Sequence, residues 1–144
     1  MNQEPARAIA TVYVVDDEAD YRFLVQQVFT RFLPHYSVSL FAGGEALLEH
    51  MQSTTAHPAL ILIDIHMPGM SGQQTLLKLK QASHLKSIPV VVMTSSTSAL
   101  EIQACYEAGA NSCLAKPIGL NPLRQRLTLT CDYWIHAHRS MTYV

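Results

Sequence analysis

Charge is scarce in this sequence. Asp, Glu, Lys and Arg together make up 15% of its 144 residues, while hydrophobic residues reach 49%. A chain with so little charge and so much apolar mass is neither a disordered segment nor a charged coiled coil, and its length suits one domain with a buried core. An excess of one sign is lacking too. Ten Lys and Arg face eleven Asp and Glu, a formal net charge of −1, so no basic surplus exists to displace counterions from a nucleic-acid backbone, and direct DNA binding is disfavoured. The three cysteines, Cys105, Cys113 and Cys131, are odd in number and form no C-x-x-C. This argues against a disulfide framework or a thiolate zinc site, and for a reducing compartment. The opening MNQEPARAIA has no secretory core. The longest apolar runs, Ala59–Ile65 and Val90–Met93, fall far short of the roughly 20 residues that span a bilayer. The expectation is a cytoplasmic protein without membrane contact. G-x-G-x-x-G and a Walker lysine are also absent, which argues against a nucleotide- or flavin-binding fold.

What is present alternates between two periodicities. Thr11–Val15, Ala59–Ile63 and Pro89–Met93 are nearly continuous β-branched or apolar runs, the pattern of parallel strands covered on both faces. Tyr36–Phe41 alternates and Ser112–Ala115 is short, as suits sheet edges. Between them, Tyr21, Leu24, Val25, Val28, Phe29 and Phe32 mark Asp20–Phe32 as an amphipathic helix. Gly44–Met51 and Gly72–Ala82 read as further helices. Ser98–Ala108 reads as another, ending before Gly109 as a left-handed cap. A last helix begins near Leu120, with Leu123, Leu127, Cys131 and Trp134 on one stripe. Right-handed crossovers and short loops restrict this (βα)5 chain to an α/β doubly wound parallel sheet, most economically in the flavodoxin-like order 2-1-3-4-5. A single domain is expected over residues 1–144, with its core at about 10–135, a polar tail at 136–144 and no attached effector.

In such a sheet the ligand site lies beyond the carboxyl ends of the strands. The strands run into Asp16-Asp17-Glu18, Asp64, Thr94-Ser95-Ser96 and Lys116-Pro117. Each alone is as readily a turn or a helix cap. Together they place three carboxylates on adjacent strand ends, which cannot all stay ionised without a compensating cation. An oxygen-only ligand set calls for a hard ion, and Mg²⁺ fits it. With the Lys116 ammonium and the Thr94 hydroxyl on the same rim, the parts suit acceptance of a phosphoryl group on a carboxylate.

The sequence resembles the receiver domain of two-component response regulators over about residues 10–130. The resemblance rests on V-V-D-D-E at Val14–Glu18, D-I-H-M-P-G-M-S-G at Asp64–Gly72, M-T-S-S at Met93–Ser96, Gly109-Ala110 and Lys116-Pro117. It implies that Asp64 is the phosphoacceptor, that Asp16 and Asp17 hold Mg²⁺ with the backbone carbonyl of His66, and that Thr94 and Lys116 bind the phosphoryl group. It further implies a cis Lys116-Pro117 bond, which costs little at proline. A histidine kinase or phosphotransfer protein would be the donor and a downstream protein the target.

Two positions depart from the pattern. Cys113 stands where the family usually has Tyr or Phe, so signalling is expected to run mainly through the Thr94–Ala99 loop. His66, two residues after Asp64, reads as a solvated loop histidine; a phosphatase of haloacid-dehalogenase type would have a second Asp there. The alternatives are that phosphatase and a phosphorylation-independent adaptor. His136 and His138 read as solvated surface, the cysteines as small core residues, and the stripe through Leu127, Cys131 and Trp134 as a face for a homodimer or a docked partner.

Overall fold

The computed structural model describes residues 10–138. Five strands, β1 (Ala10–Val15), β2 (Tyr36–Phe41), β3 (Leu60–Ile63), β4 (Val90–Thr94) and β5 (Ser112–Ala115), pair in parallel in the order β2-β1-β3-β4-β5. Five helices connect or follow them: α1 (Ala19–Phe32), α2 (Gly44–Ser53), α3 (Gly72–Gln81), α4 (Ala99–Glu107) and α5 (Leu120–Cys131). The expected doubly wound sheet is present, with the alternating and the short strand at its two edges. The N-terminal stretch read for a signal lies mostly outside the described residues, as does most of the expected polar tail.

Successive side chains of a strand point to opposite faces, and the core divides accordingly. Tyr13, Val15, Ile61, Ile63, Val90 and Val92 face Leu47, Met51, Leu76, Leu79 and Cys105 of α2, α3 and α4. Val12, Val14, Leu60, Leu62, Val91 and Met93 face Val25, Val28 and Phe29 of α1 and Leu123, Leu127 and Cys131 of α5. The near-continuous hydrophobicity of the three inner strands follows from this double cover.

This packing corrects one expectation. Leu127 is 1% exposed and Cys131 0%, with Trp134 packed against the same cluster. The stripe is therefore filled by the chain's own sheet and α1, because α5 packs on that layer, and it is not an open face. The outward side of this region carries Leu129 and Tyr133 instead, 64% and 51% exposed. Beyond Cys131 the helix continues as a π-helical segment, Asp132–Ala137, so exposed His136 belongs to ordered helix rather than to a tail. His136 lies 5.8 Å from the ring of Tyr36 and His138 lies 4.6 Å from that of Trp134.

The loops that shape the upper rim are fixed locally. Helix α3 starts with a capping box, in which Ser71 Oγ accepts from the Gln74 N–H and Gln74 Oε1 accepts from the Ser71 N–H. Its first residue needs to be glycine for space. A Cβ on Gly72 would lie 2.1 Å from the Asp64 carbonyl oxygen, and the Gly72 N–H donates to the Ile65 carbonyl at 2.9 Å. Gly109 ends α4 at φ 112°, the left-handed conformation expected for it. The implied cis bond is not found: no described peptide bond is cis. Lys116-Pro117 keeps the intrinsically preferred trans form, and the chain turns into α5 at Gly119, where φ is 97°.

Candidate functional site

The sheet's hydrogen-bond ladder extends one residue past the strands and fixes the site. The Asp16 N–H donates to the Phe41 carbonyl at 3.0 Å, Asp64 to Val15 at 3.1 Å and Lys116 to Thr94 at 2.9 Å. Asp16, Asp64, Thr94 and Lys116 therefore converge on one end of the sheet with their backbones held rigidly. Carboxylate oxygens of Asp16, Asp17 and Asp64 lie within 4.8 Å of one another; Asp16 and Asp64 are buried and Asp17 is exposed. This is the trio expected from the sequence.

Lys116 organises the cluster. Its Nζ lies 2.7 Å from Asp16 Oδ2, 3.3 Å from Glu18 Oε1 and 3.7 Å from Asp64 Oδ2, with the side chain only 11% exposed. Burial works against the ammonium, but the hydrogen bond and charge of Asp16, followed by the charge of Asp64, outweigh it and hold its pKa above the ordinary lysine value. The other oxygen of Asp16 accepts the Glu18 N–H at 2.9 Å, and Arg22 donates to the Asp16 carbonyl at 2.7 Å. Asp64 is less well served. Burial, then the neighbouring charge of Asp16, raise its pKa, while Lys116 and the backbone N–H groups of His66 and Ile65 pull it back only in part.

Thr94, buried at the end of β4, accepts the Ser96 N–H on its Oγ1 at 3.0 Å. Ser96 Oγ donates to Glu101 Oε1 at 3.0 Å, and Glu101 Oε2 lies 2.8 Å from His66 Nε2. His66 is exposed as expected of a loop residue. Its imidazole nevertheless has a partner, which ties the loop after β3 to the first turn of α4.

Several contributors were not legible beforehand. Tyr21 reads as one more apolar position of α1, yet its ring lies 4.0 Å from Lys116 Nζ. Glu18 is the exception, since the sequence already shows it directly after the acidic pair. Glu101 gives no sequence signal, because its link to His66 is made only when α4 packs beside the β3–α3 loop. At the departing position, Cys113 is half-buried, in contact with Cys105, and its N–H donates to Tyr106 Oη at 3.1 Å. Burial pushes the Cys113 thiol up to about 11 and that of Cys131 up to about 12; Cys105 and Cys131 are buried core residues and Cys113 packs half-buried against the core.

The chain belongs to the response regulator receiver domain family, whose model matches residues 12–128. Response regulator Rcp1 of Synechocystis is 30% identical over 140 residues, covering 94% of this chain and 95% of that protein. The crystal structure of its Mn(2+)-bound form matches with a TM-score of 0.79 at 27% identity, over 91% of this chain and 98% of that one. The phosphorylated cyanobacterial phytochrome response regulator RcpA matches in fold with a TM-score of 0.84 at 23% identity, over 93% and 99% of the two chains. The chain is thus a receiver of two-component phosphorelay signalling, a signalling protein, and the haloacid-dehalogenase reading is set aside. No described helix is long and apolar enough to cross a membrane.

Proposed function

We propose that Asp64 accepts a phosphoryl group from the phosphohistidine of a sensor kinase or phosphotransfer protein. In that step the Asp64 carboxylate attacks phosphorus, an O–P bond forms, the N–P bond breaks, and the electron pair leaves with the histidine nitrogen. The observation that carries the reading is the meeting of a buried, under-compensated carboxylate with two further carboxylates, an ammonium and a hydroxyl on one sheet end. Three carboxylate oxygens within 4.8 Å form a hard, oxygen-only set that suits Mg²⁺. Asp16, Asp17, Asp64 and the His66 carbonyl would hold the ion, which when bound supplies positive charge to balance the carboxylates and the incoming oxygens. Lys116 then exchanges its bond to Asp16 for a phosphoryl oxygen, and the Thr94 hydroxyl donates to another.

The phosphate is lost by slow hydrolysis rather than multiple turnover on free substrates. The whole chain acts as one cytoplasmic receiver unit that signals by docking a downstream protein. A homodimer through the last helix would have to use Leu129 and Tyr133, since the Leu127, Cys131 and Trp134 stripe is core.

The test is incubation with acetyl phosphate, followed by intact mass. Wild type is expected to gain one acid-labile phosphate in Mg²⁺ and none in chelator, and Asp64→Asn none in either. Stoichiometric labelling of Asp64→Asn would place the phosphate on another residue, and an unlabelled wild type in Mg²⁺ would favour the adaptor; either overturns the assignment.

A further inference from the structure

We propose that Tyr21 is a positioning residue for phosphoryl transfer, its ring face holding the Lys116 ammonium over the acidic cluster so that it is in place when the phosphoryl group arrives. The inference rests on Asp64 being the acceptor.

Lysine is a flexible four-carbon stem ending in a compact charge, and nothing intrinsic fixes where that charge sits. Here the backbone of Lys116 is tied to Thr94, but the three carboxylates that attract its Nζ, at 2.7, 3.3 and 3.7 Å, are spread over Asp16, Glu18 and Asp64. When the cluster's charge is balanced by a cation, those attractions weaken and the ammonium is free to swing toward solvent. The Tyr21 ring offers a contact that depends on none of the carboxylates. Its centroid is 4.0 Å from Nζ, well inside the distance at which the negative face of an aromatic ring attracts a cation.

The ring itself is anchored. Tyr21 sits in the first turn of α1 and packs against the cluster of β1, β3 and β4 side chains, and its hydroxyl donates to Met93 Sδ at 3.9 Å. Met93 immediately precedes Thr94, so the ring touches the strand that carries the second phosphoryl ligand. The phenol is neutral at neutral pH, and burial pushes its pKa further up, to about 12, so no negative oxygen competes at the site. An aliphatic side chain at this position would shield Lys116 equally well but would not attract it.

The experiment compares phosphorylation rates with acetyl phosphate at saturating Mg²⁺, with Mg²⁺ affinity measured separately to check the fold and the acidic trio. Tyr21→Leu and Tyr21→Met both remove the π face and keep apolar volume. Each is expected to slow labelling roughly tenfold, about 1.4 kcal/mol of barrier, with Mg²⁺ affinity within about twofold of wild type. Tyr21→Phe keeps the face and loses only the hydroxyl, and should label within about twofold of wild type. A wild-type rate in the Leu and Met variants, a loss confined to one of them, or a Phe variant as slow as Leu would each overturn the proposal. An unlabelled wild type would instead overturn the acceptor assignment, which separates the two failures.

Discussion

Asp64→Asn is the most telling single perturbation, because the structure predicts that removing a buried charge from the site stabilises the fold. At an effective dielectric of about 20, Lys116 at 3.7 Å attracts the Asp64 carboxylate by about 4.5 kcal/mol, while Asp16, no farther than 4.8 Å, repels it by at least about 3.5 kcal/mol. Exposed Asp17, screened by water at the same distance, adds about 1 kcal/mol of repulsion. Attraction and repulsion nearly cancel, and the cost of burying the charge remains. Burial, and after it the charge of Asp16, accordingly raises the Asp64 pKa.

A carboxylate with a raised folded-state pKa contributes stability that is present below its unfolded value of about 4 and is lost as pH rises through the folded value. At pH 7.5 in chelator, Asp64→Asn should therefore be more stable than wild type by on the order of 1 kcal/mol, or about 2–4 °C in Tm for a chain of this size. Below about pH 4 the advantage should fade, because Asp64 is then protonated in wild type too. Adding Mg²⁺ should stabilise wild type by about 2.7 kcal/mol at a hundred times its Kd, and the variant by much less. Thermal denaturation at two pH values, with chelator or Mg²⁺, measures all of this. A variant less stable than wild type at pH 7.5 in chelator would refute the reasoning, since it would mean that Lys116 fully compensates Asp64.

Two further substitutions test how the site is supported. Gly72→Ala places a Cβ in collision with the Asp64 carbonyl oxygen, so the Asp64 backbone must shift; the expected result is a loss of about 1–3 kcal/mol in denaturant titration together with slower labelling by acetyl phosphate, and a wild-type labelling rate would count against it. Leu127→Ala removes a side chain only 1% exposed between α5 and the sheet and should cost about 2–5 kcal/mol, whereas a cost under about 1 kcal/mol would return the last-helix stripe to the role of an intermolecular face.

The sequence was informative where one periodicity or one juxtaposition decides the structure. Continuous apolar runs matched doubly covered parallel strands, and the alternating Tyr36–Phe41 matched an edge. The residues ending each strand had to meet because the sheet order brings β1, β3, β4 and β5 side by side. Contacts that depend on how a helix sits on the sheet were not visible in this way. The apolar stripe of α5 reads identically whether its partner is the chain's own core or a second copy, and only the packing of the helix into the cluster with Val12, Leu62 and Val91 decides. Tyr21 is a core position by spacing, and its use as a ring for Lys116 depends on two side chains that are 95 residues apart along the chain.

A modification moves an equilibrium only by the difference in its contacts with the two states. Cys113 offers little such difference: it is small, its thiol is a weak hydrogen-bonding group already in contact with Cys105, and its N–H is engaged by Tyr106 from α4. The loop after β4 offers more. A phosphoryl group on Asp64 that draws the Thr94 hydroxyl toward itself as a donor also moves the oxygen that accepts the Ser96 N–H, and through it the bonds from Ser96 Oγ to Glu101 and from Glu101 to His66. Each of those bonds is polar and directional, and all of them end on the loop or the first turn of α4. A receiver without the aromatic at position 113 therefore has its largest reserve of exchangeable bonding in the Thr94–Ala99 loop, and a downstream protein that reads phosphorylation is expected to touch that loop and α4 rather than β5.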